Sequence, residues 1–247
     1  MRRAIAWSVH AVVALAAARA HADPPPASTD NTVRTLIDRP HTIAEIELGF
    51  IALPLAPISN NQKGGAVPFL GTISKGDATL QTGVHLLYRG AREWAVGAGA
   101  LFAPSPTTDR NAGGLGPVPR THSRSYLFLG AEGRYVPLHL PWVEGWFGLT
   151  AGGVVIADRF TTEAGEPVPP ILGKKDVTVR TEGFAIGPEA GASWMFAERW
   201  VAGLSLRAEL WIPPSSLQCT PFGDCATLHD PTAVYQMGLT IGYRIPL

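Results

Sequence analysis

Eight stretches between about Thr42 and Leu247 alternate apolar residues with small or polar ones. Every second side chain in these stretches is apolar, and the residues between are mostly Gly, Ala, Ser and Thr. Successive side chains of a β-strand point to opposite faces of the sheet, so a two-residue period predicts strands with one apolar face. The predicted strands are 42–53, 79–89, 93–103, 124–136, 142–156, 181–196, 200–211 and 233–247. The face of the fifth strand is ambiguous, because Trp142 and Trp146 share its polar file.

The connections between the strands alternate strictly in length. The short ones are 90–92, 137–141 and 197–199. The long ones, which are rich in Gly, Pro, Asn, Asp and Ser, are 54–78, 104–123, 157–180 and 212–232. Bacterial membrane barrels have short turns at the periplasmic end and long loops outside. The sequence therefore predicts an all-β fold, an eight-stranded antiparallel up-and-down transmembrane β-barrel.

A soluble barrel would alternate in the same way, so two further features favour the membrane. The polar face carries few charges, as a narrow lumen requires, whereas a water-facing surface carries many. Aromatic rings flank the short turns, and amphipathic rings collect at the headgroup level of a membrane. These rings are Tyr88, Trp94, Tyr135, Trp142, Trp194, Trp200 and Tyr243. Trp211 and Tyr235 are predicted to mark the girdle at the other interface. A closed barrel is the only way for strands to span lipid.

The N-terminus has the pattern of an export signal. A basic start, the apolar run 11–18 and the small-residue site Ala20-His21-Ala22 predict a signal peptide over 1–22, cleaved after Ala22. A membrane anchor is the alternative, but the apolar run is shorter than a spanning helix requires. The Pro-rich, polar residues 23–39 are predicted to form a periplasmic tail, and 40–247 the barrel. The expected location is the outer membrane of a Gram-negative bacterium.

Two cysteines, Cys219 and Cys225, lie in the last long connection. An exported chain folds in an oxidising compartment, so a disulfide that closes this short loop is expected. A metal site formed by the two cysteines and His229 is the alternative, but these side chains supply at most three ligands.

The C-terminal residues resemble the end signal of bacterial outer-membrane barrels. This signal is a polar-x-Gly-x-x-apolar-x-apolar pattern, and Thr240, Gly242, Ile245 and Leu247 match it, although an aromatic residue is usual at the last position. The chain as a whole resembles the small eight-stranded group of OmpA-, OmpX- and OmpW-like proteins in pattern. This resemblance implies insertion by the outer-membrane assembly machinery and a role at the cell surface, without implying one activity.

Charged residues on the inward file predict a network that fills the lumen. They are Glu45, Glu47, His85, Arg89, Glu132, Arg134, Glu144, Glu189, Arg207, Glu209 and Arg244. Charges removed from water must be paired. We expect Arg244 near Glu45 or Glu47, Arg134 near Glu144, and Arg207 and Glu209 near Arg124. A polar path for ions or a proton-linked gate is the alternative, although eight strands leave a lumen barely wide enough for side chains.

Enzymatic activity is the competing class of function. His122, Ser123, Ser125 and Glu132 offer the residue types of a lipid hydrolase, but the predicted strand places the two serines outside and the other two inside. We therefore expect no enzyme, no cofactor and no metal.

The expected partners are outer-membrane lipids, the assembly machinery and an extracellular ligand that the long loops bind. Residues 60–65 and 111–114 are the candidate ligand-binding segments. The alternative is that they are ordinary solvated loops. With 20 Lys and Arg against 20 Asp and Glu, nothing indicates nucleic acid. The predicted function is a structural or surface-interaction role for a monomer. A narrow channel or a transporter of small hydrophobic ligands is the alternative, followed by a lipid-modifying enzyme.

Overall fold

The computed structural model describes residues 39–247 except 55–59, 63–69, 73–76, 105–108, 111–119, 163–175, 217, 221–224 and 227. The predicted signal peptide, nearly all of the predicted periplasmic tail and the loop candidate 111–114 lie outside the described residues. No helix in the described part of the chain has the length and hydropathy to span a membrane.

Eight antiparallel strands form one closed barrel. They are β1 (His41–Leu53), β2 (Asp77–Ala91), β3 (Trp94–Pro104), β4 (Arg120–His139), β5 (Val143–Thr162), β6 (Asp176–Met195), β7 (Trp200–Ile212) and β8 (Thr232–Pro246). Each strand pairs with its neighbours in sequence, and β8 pairs with β1 from Pro246–His41 to Tyr235–Ala52. Closure leaves no edge along the barrel wall, as the prediction required. The predicted fold class is confirmed.

Two short ladders add to the barrel outside the eight strands. Residues 60–62 pair with 70–72, and Asp109–Arg110 pairs with 121–122 at the upper end of β4. Both lie in segments predicted as long loops. Residues 60–62 of the predicted loop 60–65 thus belong to a short ladder, and residues 63–65 lie outside the described residues.

The outward file is apolar and exposed across the barrel wall. Ile46, Leu129 and Leu239 are 69%, 65% and 67% exposed, which would be an aggregation hazard in water and is the expected surface in lipid. The ambiguous fifth strand follows the same rule, because Phe147 is exposed on the outside and Trp146 is buried. Rings at the short-turn end form the predicted girdle, with exposed side chains at Tyr88, Trp94, Trp142, Trp194 and Trp200.

Strands β4, β5 and β6 are 20 residues long, about twice what a tilted strand needs to cross a bilayer. Their outward files change from apolar to polar toward the long-loop end. In that direction, the next outward residue after Leu127 on β4 is Ser125, and the next after Phe184 on β6 is Glu182. An outward pair of Arg159 and Asp176 lies at this level, 3.2 Å apart. These three strands therefore continue above the apolar band into water.

Candidate functional site

The barrel lumen is filled in two layers, a charged layer toward the short turns and an apolar layer toward the long loops. All eleven charged residues predicted for the lumen are buried, and none is more than 5% exposed. Inward glycines make room for them: a Cβ on Gly99 would lie 2.6 Å from Nδ1 of His85, and one on Gly238 would lie 2.4 Å from Cδ of Glu47. The small residues of the polar file thus allow large charged side chains to fill the lumen.

Glu47 is the centre of the upper part of the charged layer. Its carboxylate accepts hydrogen bonds from Arg207 and Gln81, both at 2.8 Å, and from Ser205 at 3.1 Å. His85 places Nε2 3.4 Å from Glu47 and Nδ1 3.1 Å from Glu132. Six side chains from β1, β2, β4 and β7 therefore meet in the middle of the lumen.

Arg134 joins this centre to the rest of the layer. It lies 2.9 Å from Glu45, 3.6 Å from Glu132 and 3.8 Å from Glu189, and its guanidinium stacks 4.2 Å from the Trp146 ring. The planar guanidinium of arginine suits such a shared position, because it can donate in several directions at once while stacking on a ring.

Glu144 is the centre of the lower part of the layer. Arg89 donates to both of its oxygens, at 2.9 and 3.0 Å, and Arg244 donates at 2.5 Å. His139 Nδ1 lies 3.3 Å away. Two arginines from β2 and β8 therefore hold one carboxylate from β5 across the lumen.

The three predicted pairings of the network are wrong, although its members are buried together. Arg244 pairs with Glu144, not with Glu45 or Glu47, and Arg134 pairs with Glu45, not with Glu144. Barrel strands tilt and are staggered, so long side chains meet across the lumen with partners on non-adjacent strands. Closeness in sequence, or position on two strands joined by one turn, therefore does not identify which residues form ion pairs.

The third predicted pairing fails at the upper edge of the layer. Arg207 binds Glu47 and Glu189, and Arg124 instead binds Asp158 at 3.0 Å. Glu209 accepts hydrogen bonds from three uncharged donors, which are Thr150 at 2.8 Å and Trp211 and Gln236 at 2.9 Å.

The apolar layer above Glu209 was not predicted. Inward side chains of seven strands and one loop form it: Ile51, Leu53, Leu101, Ala103, Tyr126, Phe128, Val154, Ile156, Ala185, Trp211, Leu228 and Val234. The available signal was that both faces become apolar near the long-loop ends, as in 153–157 and 100–103. Trp211 is therefore not part of an outer girdle. It is 1% exposed, and its ring packs edge-on against Tyr126 with centroids 5.5 Å apart.

The last long connection caps this layer. Leu228 packs into the apolar layer, and Ala226 packs with Phe160 and Val179 at the upper rim, where both loop residues are at most 4% exposed. A disulfide joins Cys219 to Cys225, which confirms the predicted bond, and a metal site that uses these thiols is wrong. We call the described residues of 213–231 the cap.

Replacing both cap cysteines with serine is expected to loosen the cap while the barrel stays folded. A disulfide restricts the unfolded chain, and closing so small a loop contributes about 2 kcal/mol. Limited proteolysis should cleave within 213–231 faster in the double variant, while the barrel strands stay protected. Equal cleavage rates in the two proteins would show that the cap is held by packing alone.

His122 lies above the lumen layers, fully buried with Asp158. Its Nε2 is 2.6 Å from the Asp158 carboxylate, and its ring stacks on Phe160 with centroids 4.8 Å apart. Glu132 lies far down the same strand beside His85, and Ser123 and Ser125 are on the outward file. The four residues considered for a hydrolase are not brought together.

The charged and apolar layers leave little empty volume. A cavity of about 20 Å³ lies among Arg89, Arg134 and Glu144, and one of about 10 Å³ lies beside Gln81 and Trp211. A single water molecule needs about 10–15 Å³. Each of these two cavities is thus no larger than the space of one or two water molecules.

The predicted end signal lies on β8. Thr240 and Gly242 face the lumen, and Ile245 and Leu247 are exposed, 42% and 75%. Pro246 pairs with His41, and the Leu247 amide donates to the Pro40 carbonyl at 3.4 Å. The two apolar residues of the signal are thus accessible at the short-turn end.

The barrel has a closed wall, an apolar outer band with an aromatic girdle, and an interior filled by side chains. The fold is that of a small eight-stranded outer-membrane β-barrel. No protein-family model and no curated protein sequence matches the chain.

Solved structures of outer-membrane β-barrels are similar to this barrel along most of their length. Neisserial surface protein A has 9% identity and a TM-score of 0.49, with 84% of this chain and 97% of that chain covered. OprG from Pseudomonas aeruginosa has 16% identity and a TM-score of 0.44, covering 85% and 99%. Ail, the attachment invasion locus protein of Yersinia pestis, has 15% identity and a TM-score of 0.40, covering 82% and 98%.

Proposed function

We propose that this protein is a non-conducting outer-membrane barrel that acts through its extracellular surface. The observation that carries the proposal is the filled lumen: a layer of paired charges, an apolar layer above it and a cap on top. Moving an ion through this interior would require breaking several buried ion pairs at once, and removing one partner of such a pair costs about 3–5 kcal/mol. The described lumen thus supports a structural role for the interior and leaves the outer surface for interaction.

The extracellular end of the barrel carries polar residues that are suited to interaction. Strands β4, β5 and β6 carry polar outward residues above the apolar band, including Arg159, Asp176 and Glu182. Loops on a rigid scaffold are common positions for binding residues. We propose that a ligand or partner outside the cell binds at this end, and that the barrel works as a monomer without catalysing a reaction.

Planar-bilayer recording tests the closed lumen. The purified, refolded protein is expected to give no discrete conductance steps, with a large porin as a positive control for insertion and detection. Steps of one reproducible size that persist in protein from independent preparations would contradict the proposal and favour a channel.

A passage for small apolar molecules is the second candidate, because the upper lumen is apolar and lies beneath the cap. Liposomes that contain the protein should take up a small aromatic hydrocarbon no faster than empty liposomes. Faster uptake that rises further in the Cys219→Ser/Cys225→Ser variant would favour this candidate over a surface role.

We also propose that the protein is exported and inserted into the outer membrane, because it has an N-terminal export pattern and an apolar outer wall. The mature protein is expected to start at Asp23, to stay in the outer-membrane fraction after carbonate extraction and to shift on gels when boiled. Assembly machinery is proposed to read Thr240, Gly242, Ile245 and Leu247. Replacing Ile245 and Leu247 with serine should reduce the heat-shifting form in cells, and unchanged amounts would argue against this signal.

A lipid-modifying activity is tested directly. The lipid A of cells with the wild-type protein and with His122→Ala is expected to have the same mass distribution, because the hydrolase residues do not converge. A modification that depends on His122 would overturn the non-enzymatic role.

A further inference from the structure

The outer wall of the barrel carries a groove among its lipid-facing side chains. It encloses about 620 Å³ and its outward lining includes Ala44, Ala98, Ala100, Leu129, Trp200 and Tyr243. We call it the wall groove. It crosses β8, β1, β2, β3 and β4 along two rows of paired residues, one through Ala44, Leu86 and Ala98 and the other through Ile46, Val84 and Ala100.

Outward alanines form the floor of the wall groove. Ala44, Ala98 and Ala100 are small side chains of the outward file, and the larger side chains of Ile46, Val84 and Leu129 flank them. These alanines point away from the lumen, so lumen packing does not require their small size. Their small side chains leave a depression that is open to the outside of the wall.

The two ends of the wall groove lie at different depths in the membrane. Trp200 and Tyr243 are at the short-turn end of β7 and β8, within the aromatic girdle, while Ala100 and Leu129 are near the middle of β3 and β4. Four inter-strand steps separate β8 from β4, which is about 19 Å along the wall. Because the strands are tilted, this path climbs from the periplasmic interface toward the bilayer centre.

A positive charge lies at the interfacial end. Arg199, in the short turn before β7, donates a hydrogen bond to the Tyr243 hydroxyl at 3.3 Å, and the Tyr243 ring packs edge-on against Trp200 with centroids 5.1 Å apart. Arg199 is exposed, and its guanidinium can donate to a phosphate while the tyrosine hydroxyl offers a second polar group. Glu198 precedes it and is also exposed on the turn.

We propose that the wall groove binds one phospholipid of the periplasmic leaflet, with an acyl chain over Ala44, Ala98 and Ala100 and the phosphate at Arg199 and Tyr243. The apolar floor, the climb of the groove from interface to bilayer centre and the cation at its interfacial mouth all match this one ligand. The proposal rests on the membrane location of the barrel and not on what its extracellular surface does.

Native mass spectrometry of the detergent-purified, folded protein tests the proposal, with dioleoyl phosphatidylglycerol and dioleoylglycerol as the two probes. The wild-type barrel is expected to retain about one phosphatidylglycerol. Ala98→Leu/Ala100→Leu fills the floor and should lower retention of both probes at least fivefold. Arg199→Gln should lower phosphatidylglycerol retention at least fivefold and leave dioleoylglycerol retention unchanged, since the latter lacks a phosphate.

Two matched controls separate the groove from the rest of the barrel. Ala192→Leu enlarges an outward alanine on β6, and Arg159→Gln removes an arginine at the extracellular end, so neither should change retention. All variants are first checked for the heat-dependent gel shift, which reports a folded barrel. Equal retention in the groove variants and controls overturns the proposal. A dimer mass that Ala98→Leu/Ala100→Leu abolishes also overturns it, because a second copy would then occupy the groove.

Discussion

Replacing Glu47 with alanine is expected to lower the free energy of unfolding of the barrel by about 3–5 kcal/mol. The substitution leaves Arg207 and His85 in the lumen without the carboxylate that both contact, and it removes the acceptor for Gln81 and Ser205. A buried charge that loses its partner costs far more than the pair contributed, because it cannot regain water. Urea unfolding in lipid vesicles, followed by the gel shift of unboiled samples, gives this free energy.

The coupling of Glu47 to Arg207 distinguishes a paired network from a mere loss of packing. The Glu47→Gln/Arg207→Gln double variant lacks both charges of the 2.8 Å pair. We expect its loss of unfolding free energy to be smaller than the summed losses of Glu47→Gln and Arg207→Gln by about 0.5–3 kcal/mol. Glu93→Ala, at the exposed turn between β2 and β3, is the control and should stay within about 0.5 kcal/mol of wild type. Additive single effects would show that the two charges do not stabilise each other.

Replacing Trp211 with alanine is expected to cost about 3–5 kcal/mol by the same measurement. This indole is 1% exposed between Tyr126 and the cap, so its removal leaves a cavity in the middle of the apolar layer. The indole also donates to Glu209 at 2.9 Å, and that carboxylate would lose one of its three uncharged donors.

Trp211→Phe separates the two contributions. Phenylalanine keeps most of the ring volume but cannot donate to Glu209, so we expect an intermediate cost of about 1–3 kcal/mol. A phenylalanine variant as unstable as the alanine variant would make the hydrogen bond to Glu209 the main role of Trp211. A wild-type stability in both variants would show that the apolar layer does not hold the barrel together.

Periodicity identified the eight strands and the inside and outside of the wall, because lipid and lumen impose opposite chemistry on alternate residues. The alternation of apolar and polar residues stops where the wall no longer faces lipid. Above the membrane the outward file of β4 to β6 is polar, as at Ser125, Arg159 and Thr178, so the alternation of apolar with polar stops while the strands continue. Strand β4 was accordingly predicted from 124 and begins at Arg120.

The lumen was predictable as a set of residues and not as a set of contacts. Burial of Glu45, Arg134 and Glu144 follows from their places on the inward file, but their partners depend on strand tilt and stagger, which the sequence pattern does not state. Trp211 shows a different kind of failure: an aromatic residue near a strand end is typical of a girdle, but two-residue alternation puts Trp211 on the inward file with Arg207 and Glu209, and the structure follows the alternation.

The barrel is taller on one side than on the other. Strand β5 has seven residues more than β1, which at typical rise and tilt raises its rim by roughly 16 Å. Among the described strands, a macromolecule outside the cell would therefore meet β4, β5 and β6 farther from the membrane surface than β1.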